Sequence, residues 1–195
     1  TDWLNAEDAL DDVGAGLVMN SLSKYIAGHG HALGGSITDT GLYDWSNYPN
    51  IAEPYRKGQP TGWGLLQIKK KGLRDMGGTL AAEPAHRIAV GAETLALRME
   101  KHCSNALALA RFLQAHRGVA KVHYPGMPGH AQHARATELF GGRYGGLMGI
   151  ELAEGIDCFD FLNRLHVVLL ATHLGDTRSL ALPAAHTIYY EMGPE

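Results

Sequence analysis

The most regular feature of the chain is a helical rhythm between Glu83 and His116. Apolar residues at Ile88, Val90, Leu95, Leu97, Met99, Leu107, Leu109, Phe112 and Leu113 recur at mixed steps, many of three or four residues. That spacing predicts a helix with one buried side. Pro84 suits the first helical position, and Gly91 is where the stretch would bend or be interrupted. A shorter pattern at Leu65, Leu66, Ile68 and Leu73 predicts a helix over Trp63 to Met76, stopped by Gly77-Gly78. The run Gly16-Leu17-Val18-Met19-Asn20-Ser21 reads as a buried strand, and Ser36-Ile37-Thr38 closes a second. Between them Gly28, Gly30, Gly34 and Gly35 suit tight turns and close backbone approach. Residues 42–61, with Asn47, Pro49, Pro54, Gly58 and Pro60, read as a long irregular loop, of a length that is often functional.

The texture changes after His116. Strands are predicted over Val119 to Tyr124, Gly146 to Leu152, Val167 to Ala171 and Ser179 to Pro183. Helices are predicted over residues 130–140 and Cys158 to Leu165. Strands alternating with helices predict an α+β or α/β unit. No internal repeat or low-complexity segment interrupts the pattern.

Composition bounds the picture. A chain of 195 residues makes one domain or parts of two. With 45% hydrophobic and 19% charged residues it can build a packed core, and its composition does not read as disordered. The net charge is −3, and the densest basic run, Lys69-Lys70-Lys71, lies beside an apolar helical pattern. Neither feature suits a nucleic-acid partner. The apolar runs are too short to span a bilayer, and Thr1-Asp2-Trp3 does not open a signal peptide. Cys103 and Cys158 lie far apart with no metal-like spacing, which suits a reduced, cytoplasmic protein, a single disulfide being the alternative. The chain starts on Thr1 and stops on Met192-Gly193-Pro194-Glu195, so both ends read as cuts, whether natural or by trimming.

Three groups of residues could carry chemistry. Lys24 follows a predicted strand among Ser21, Ser23 and glycines. A Schiff-base lysine needs a neutral amine, and burial beside a cofactor makes it nucleophilic. Hydroxyls and backbone N–H groups suit a phosphate. By spacing alone, a lysine after a strand also reads as an ordinary solvated side chain. His29 with His31, and His130 with His133, could each form a zinc pair, on a strand face and a helix face respectively. Neither pair has a third ligand at clear spacing, so loop and surface histidines are the preferred reading. His173-Leu174-Gly175-Asp176-Thr177-Arg178 after a predicted strand reads either as a pocket rim or as a turn in which Asp176 pairs with Arg178.

Ser21-Leu22-Ser23-Lys24-Tyr25-Ile26-Ala27-Gly28-His29-Gly30 resembles the cofactor-lysine signature of the pyridoxal-phosphate enzymes of Cys/Met metabolism, the family of cystathionine γ-synthase, methionine γ-lyase and the O-acyl-homoserine sulfhydrylases. Its usual form is Ser-x-Thr-Lys-Tyr followed by Gly-His. The resemblance continues in order through Thr94–Ala106, Val122-His123-Tyr124-Pro125-Gly126, and Leu174-Gly175-Asp176 with Leu180 to Pro183 and His186-Thr187.

The resemblance implies an α/β, fold-type I architecture. Residues 1–95 would close the large cofactor-binding domain, and residues 96–195 would form most of a small C-terminal α+β domain. Lys24 would hold pyridoxal 5'-phosphate through a Schiff base, and Ser21 and Ser23 would hold its phosphate. His173 would meet the substrate, at a position where relatives often carry Ser. An aspartate for the pyridine nitrogen is expected before Thr1 and a carboxylate-binding arginine beyond Glu195, so the chain reads as a piece of a longer one. The implied activity is γ-replacement or elimination on homoserine esters, cystathionine or methionine in a cytoplasmic homo-oligomer, a dimer of dimers. Its partner is a small amino-acid substrate, with no nucleic acid and no membrane. The alternative is a non-catalytic piece or pseudoenzyme.

Overall fold

The computed structural model describes residues 14–192. These divide into two compact units. One runs up to Ala27 and resumes over His31–Glu93; the other holds Gly28–Gly30 and the chain from Thr94 onward.

In the first unit β1 (Leu17–Ser21) pairs antiparallel with β2 (Gly35–Asp39), in register from Leu17↔Asp39 to Ser21↔Gly35. The strand was expected to be buried, yet Met19 is 81% exposed and Ile37 is exposed too. Among the described residues β1 pairs with β2 alone, and its first two residues, Leu17 and Val18, are half-buried while Met19 is not. Residues 42–61 form the irregular segment expected. It is pinned by short helical turns at Trp45–Asn47, Glu53–Tyr55 and Pro60–Gly62. The indole of Trp45 lies edge-on to Tyr43 and Tyr48, with centroids 4.7 and 5.5 Å away. The expected helix is α1 (Trp63–Gln67), which widens into a π-type helix over Ile68–Asp75; Gly77, at φ +77°, lies just past its end.

The long helical rhythm is two helices, not one. α2 (Ala82–Glu93) ends the first unit and α3 (Leu95–Gln114) begins within the second. The break is at Thr94, with φ −102° and ψ 6°, and not at Gly91, which stays helical and buried. An exposed Glu83–Arg87 ion pair links successive turns of α2.

In the second unit α3 packs on β3 (Val119–His123), which runs antiparallel to β4 (Gly149–Leu152). Ala106, Ala110, Val122 and Tyr124 form its buried centre, joined by Leu107, Leu113 and Ile150. Small alanines on α3 let the strand come close, and the fully buried Tyr124 satisfies its hydroxyl by donating to the Gly145 carbonyl at 2.8 Å. α4 (His133–Phe140) ends on Gly141 at φ +56°. α5 (Cys158–Asn163) starts on Asp157, whose carboxylate accepts from the N–H groups of Phe159 and Asp160. Leu169–Leu170 (β5) and Leu180–Ala181 (β6) make a short parallel pair. Both cysteines are free thiols, and burial pushes the Cys103 thiol up from its ordinary value.

The paired-histidine geometries fail. His130 lies before α4, so it shares no helical face with His133. His29 and His31 lie in the connection between β1 and β2 rather than on a strand. Among the described residues no group of three or more His, Cys, Asp or Glu side chains could hold a metal ion, and no helix is long and apolar enough to cross a membrane.

Candidate functional site

Lys24 stands in the loop that joins β1 to β2. The chain leaves Ser21 into a wide helical turn, Leu22–Ile26, closed by Ala27 N–H donating to the Leu22 carbonyl at 2.9 Å. Lys24 breaks that turn, with φ −87° and ψ −125°. The amine of Lys24 makes no ion pair or hydrogen bond among the described residues, and neither does the Ser21 hydroxyl, which caps nothing.

The far side of the loop is fastened at Gly34. Ser23 N–H donates to the Gly34 carbonyl at 3.2 Å, and the buried Ser23 hydroxyl accepts from Gly34 N–H at 2.9 Å while donating to the same carbonyl at 3.2 Å. Helix α2 then seats the loop at three levels. A Cβ at Gly91 would overlap the Ala27 carbonyl, and one at Gly34 would come within 2.7 Å of Ile88. Between them Arg87 donates to the His31 carbonyl at 3.3 Å, and His31 Nε2 lies 3.3 Å from the Arg87 carbonyl. Glycine at 91 is therefore required by close approach to backbone, whereas at 34 the neighbour is the end of the Ile88 side chain.

In the second unit the turn Gly28–Gly30 has φ +70° at Gly28 and +62° at Gly30. A Cβ at Gly28 would fall on the Arg98 guanidinium; one at Gly30 would lie 2.7 Å from Asp176 Oδ2. Arg98 Nε donates to the Thr94 hydroxyl at 3.0 Å, and burial lowers the pKa of its guanidinium. Asp176 is 4% exposed and is held by Arg178 twice, Nε at 3.1 Å and Nη2 at 2.5 Å, by Arg178 N–H at 3.1 Å and by the Thr177 hydroxyl at 3.2 Å. The Arg178 hydrogen bonds hold its carboxyl far below the usual carboxylate range, against the opposing effect of burial. The turn reading of this segment is thus what forms, with Asp176 turned inward. Nearby in sequence, His173 keeps a buried Nε2 with no hydrogen-bond partner among the described residues.

These residues can be tested against a pyridoxal-phosphate cofactor. An amine at Lys24 and a hydroxyl three residues before it, neither with a partner among the described residues, suit an aldehyde and a phosphate respectively. Ser23 is the contested member. A hydroxyl has one proton to donate, and here Ser23 donates it to Gly34; turned to a phosphate, it could still accept from Gly34 N–H. The orphaned His173 Nε2 is a donor or acceptor in want of a partner, which suits a polar ligand. In the first unit Lys24, Ser21 and Ser23 therefore fit the cofactor by residue type. Sequence reasoning missed Arg87, Ile88, Gly91 and Arg98, which shape the loop. Its only signal for them was the cluster of glycines that they face.

Comparison with known proteins places the chain in a family. Residues 8–195 match the family described as Cys/Met metabolism PLP-dependent enzyme. The chain is 36% identical to O-acetyl-L-homoserine sulfhydrylase 1 of Thermus thermophilus, over 93% of this chain and 46% of that protein. It is 32% identical to homocysteine synthase of Schizosaccharomyces pombe, over 94% of this chain and 46% of that one. The chain thus spans about half the length of the curated relatives it matches.

Among solved structures, a putative O-acetylhomoserine (thiol)-lyase from Campylobacter jejuni, which carries a pyridoxyl-lysine, superposes with a TM-score of 0.82 at 28% identity, over 94% of this chain and 47% of that one. Cystathionine γ-lyase from Lactobacillus plantarum gives 0.73 at 27% identity, over 93% and 42%. The architecture is that of part of an α/β, fold-type I pyridoxal-phosphate enzyme. On the match over residues 8–195 and the two superpositions, the chain belongs to the family of pyridoxal-phosphate-dependent enzymes of Cys/Met metabolism.

Proposed function

We propose that the whole protein performs γ-replacement on an O-acyl homoserine in sulfur amino-acid metabolism, using pyridoxal phosphate bound at Lys24. The observation that carries this reading is the loop itself: a Lys24 amine and a Ser21 hydroxyl without partners among the described residues, in a chain 36% identical to an O-acetyl-L-homoserine sulfhydrylase.

Ser21 and Ser23 would donate their hydroxyls to the phosphate. Lys24 would hold the cofactor until a substrate amine displaces it. Its freed amine would then take the proton from the substrate's α-carbon and return it later. The bound cofactor supplies the electron sink for the charge that develops at that carbon. His173 Nε2, buried and unpartnered among the described residues, would meet the substrate carboxylate. Residues 1–95 belong in this reading to the cofactor-binding domain and residues 96–195 to the small domain. The free thiols Cys103 and Cys158 suit a cytoplasmic setting, and the protein would act as a homo-oligomer.

The test is the intact protein supplied with O-acetyl-L-homoserine and sulfide. Homocysteine should form, and Lys24→Ala should abolish it. Cleavage of cystathionine with no homocysteine from the ester would overturn the choice of substrate.

A further inference from the structure

We infer that Arg98 and the Asp176–Arg178 pair are positioning residues for Lys24, which act by holding the turn Gly28–Gly30 that follows it. This rests on the reading of Lys24 as the cofactor lysine.

Both glycines of the turn adopt left-handed φ, and each faces a charged side chain where a Cβ would stand. Under Gly28 lies the guanidinium of Arg98, steadied by Nε donating to the Thr94 hydroxyl at 3.0 Å. Under Gly30 lies Asp176, 4% exposed, with Arg178 Nη2 close to the same space. Apolar side chains would serve for packing alone. A part-buried cation and a buried carboxylate cost free energy unless they are paired and hydrogen-bonded. Asp176 is held by four hydrogen bonds from Thr177 and Arg178, so it presents a fixed surface rather than a mobile one.

The turn is joined to Lys24 by little slack. Ala27, the residue before Gly28, is tied by its N–H to the Leu22 carbonyl at 2.9 Å, a bond that closes the wide turn containing Lys24. A shift at Gly28 is therefore passed to the lysine's backbone. A small misplacement of a reacting group costs much of its effectiveness, on the order of a hundredfold for about 1 Å.

The experiment compares the intact protein with Arg98→Gln, Arg98→Lys and Asp176→Asn. Hydrogen–deuterium exchange is followed on peptides covering residues 22–34, and pyridoxal-phosphate affinity by visible absorbance. With Arg98→Gln and Asp176→Asn these amides should exchange at least about tenfold faster. Cofactor affinity should fall by a similar factor, and in Arg98→Gln the melting transition of the rest of the protein should stay put. Arg98→Lys, which keeps a cation, should recover part of both. Unchanged exchange over 22–34 in both Arg98→Gln and Asp176→Asn would overturn the inference, as would faster exchange with cofactor affinity intact. If Arg98→Gln fails to fold, Asp176→Asn decides alone. If the wild-type protein takes no cofactor at Lys24, the reading of Lys24 fails by itself, and with it the claim that the turn serves that lysine; the exchange data then report only whether the turn is held.

Discussion

Ser23 and Gly34 are bonded three times over: backbone N–H to carbonyl at 3.2 Å, glycine N–H to serine hydroxyl at 2.9 Å, and that hydroxyl back to the carbonyl at 3.2 Å. The pair closes the loop that carries Lys24, directly beside the Ser21↔Gly35 rung of the hairpin. Ser23→Ala leaves the part-buried Gly34 N–H without its partner, a loss of about 1 kcal/mol. The intact protein should therefore unfold at lower urea even without cofactor, whereas Ser23→Thr, which keeps the hydroxyl, should recover most of it. Equal stability of Ser23→Ala and wild type without cofactor would leave phosphate binding as the residue's only role.

Gly91 presses on the backbone of Ala27 rather than on a side chain that could turn away. In an open helix, glycine to alanine stabilises by about 1 kcal/mol. Here the added methyl meets a carbonyl oxygen, so Gly91→Ala should instead destabilise by roughly 1–3 kcal/mol through overpacking. It should also loosen the loop residues. The urea midpoint decides the sign, and a stabilised variant would show that α2 and the loop are less closely seated.

Asp176 makes the acid limb of stability. Its carboxyl in the folded protein lies below its ordinary value of 3.8, chiefly through the Arg178 hydrogen bonds. A depressed folded value means that the stabilisation is complete above the unfolded value and is lost as pH falls through the folded one. The wild-type protein should therefore lose stability on acidification below about pH 4 through this group. Asp176→Asn should be less stable at neutral pH and show a shallower decline over that acid range. Urea midpoints measured from pH 6 to pH 3 check both; parallel curves for the two proteins would contradict the assignment.

The lysine loop was legible because its information is local. Ser21, Ser23, Lys24 and the two turn glycines lie within ten consecutive residues, and the hairpin around them is set by two short apolar runs. What surrounds the loop was not legible. Arg98 and Asp176 come from far along the chain, and no periodicity tells which polar side chain will lie under a glycine. The break at Thr94 was hidden because apolar spacing continues across it, while a single non-helical φ/ψ pair ends one helix and starts the next. The exposure of Met19 was misread for a related reason. Strand patterning reports what a residue prefers to touch, not whether a second layer lies there. His130 and His133 show the limit of spacing from the other side: three residues apart, they share a face only if the helix includes both, and α4 starts at His133.

The central claim is that Lys24 is the residue that bonds the cofactor. The direct measurement is borohydride reduction of the intact protein with pyridoxal phosphate, followed by peptide mapping. The account predicts one reduced pyridoxyl adduct, on the peptide containing Lys24, and none in Lys24→Ala. An adduct of equal yield on another lysine, such as one of Lys69, Lys70 and Lys71, or no adduct at all, would contradict it.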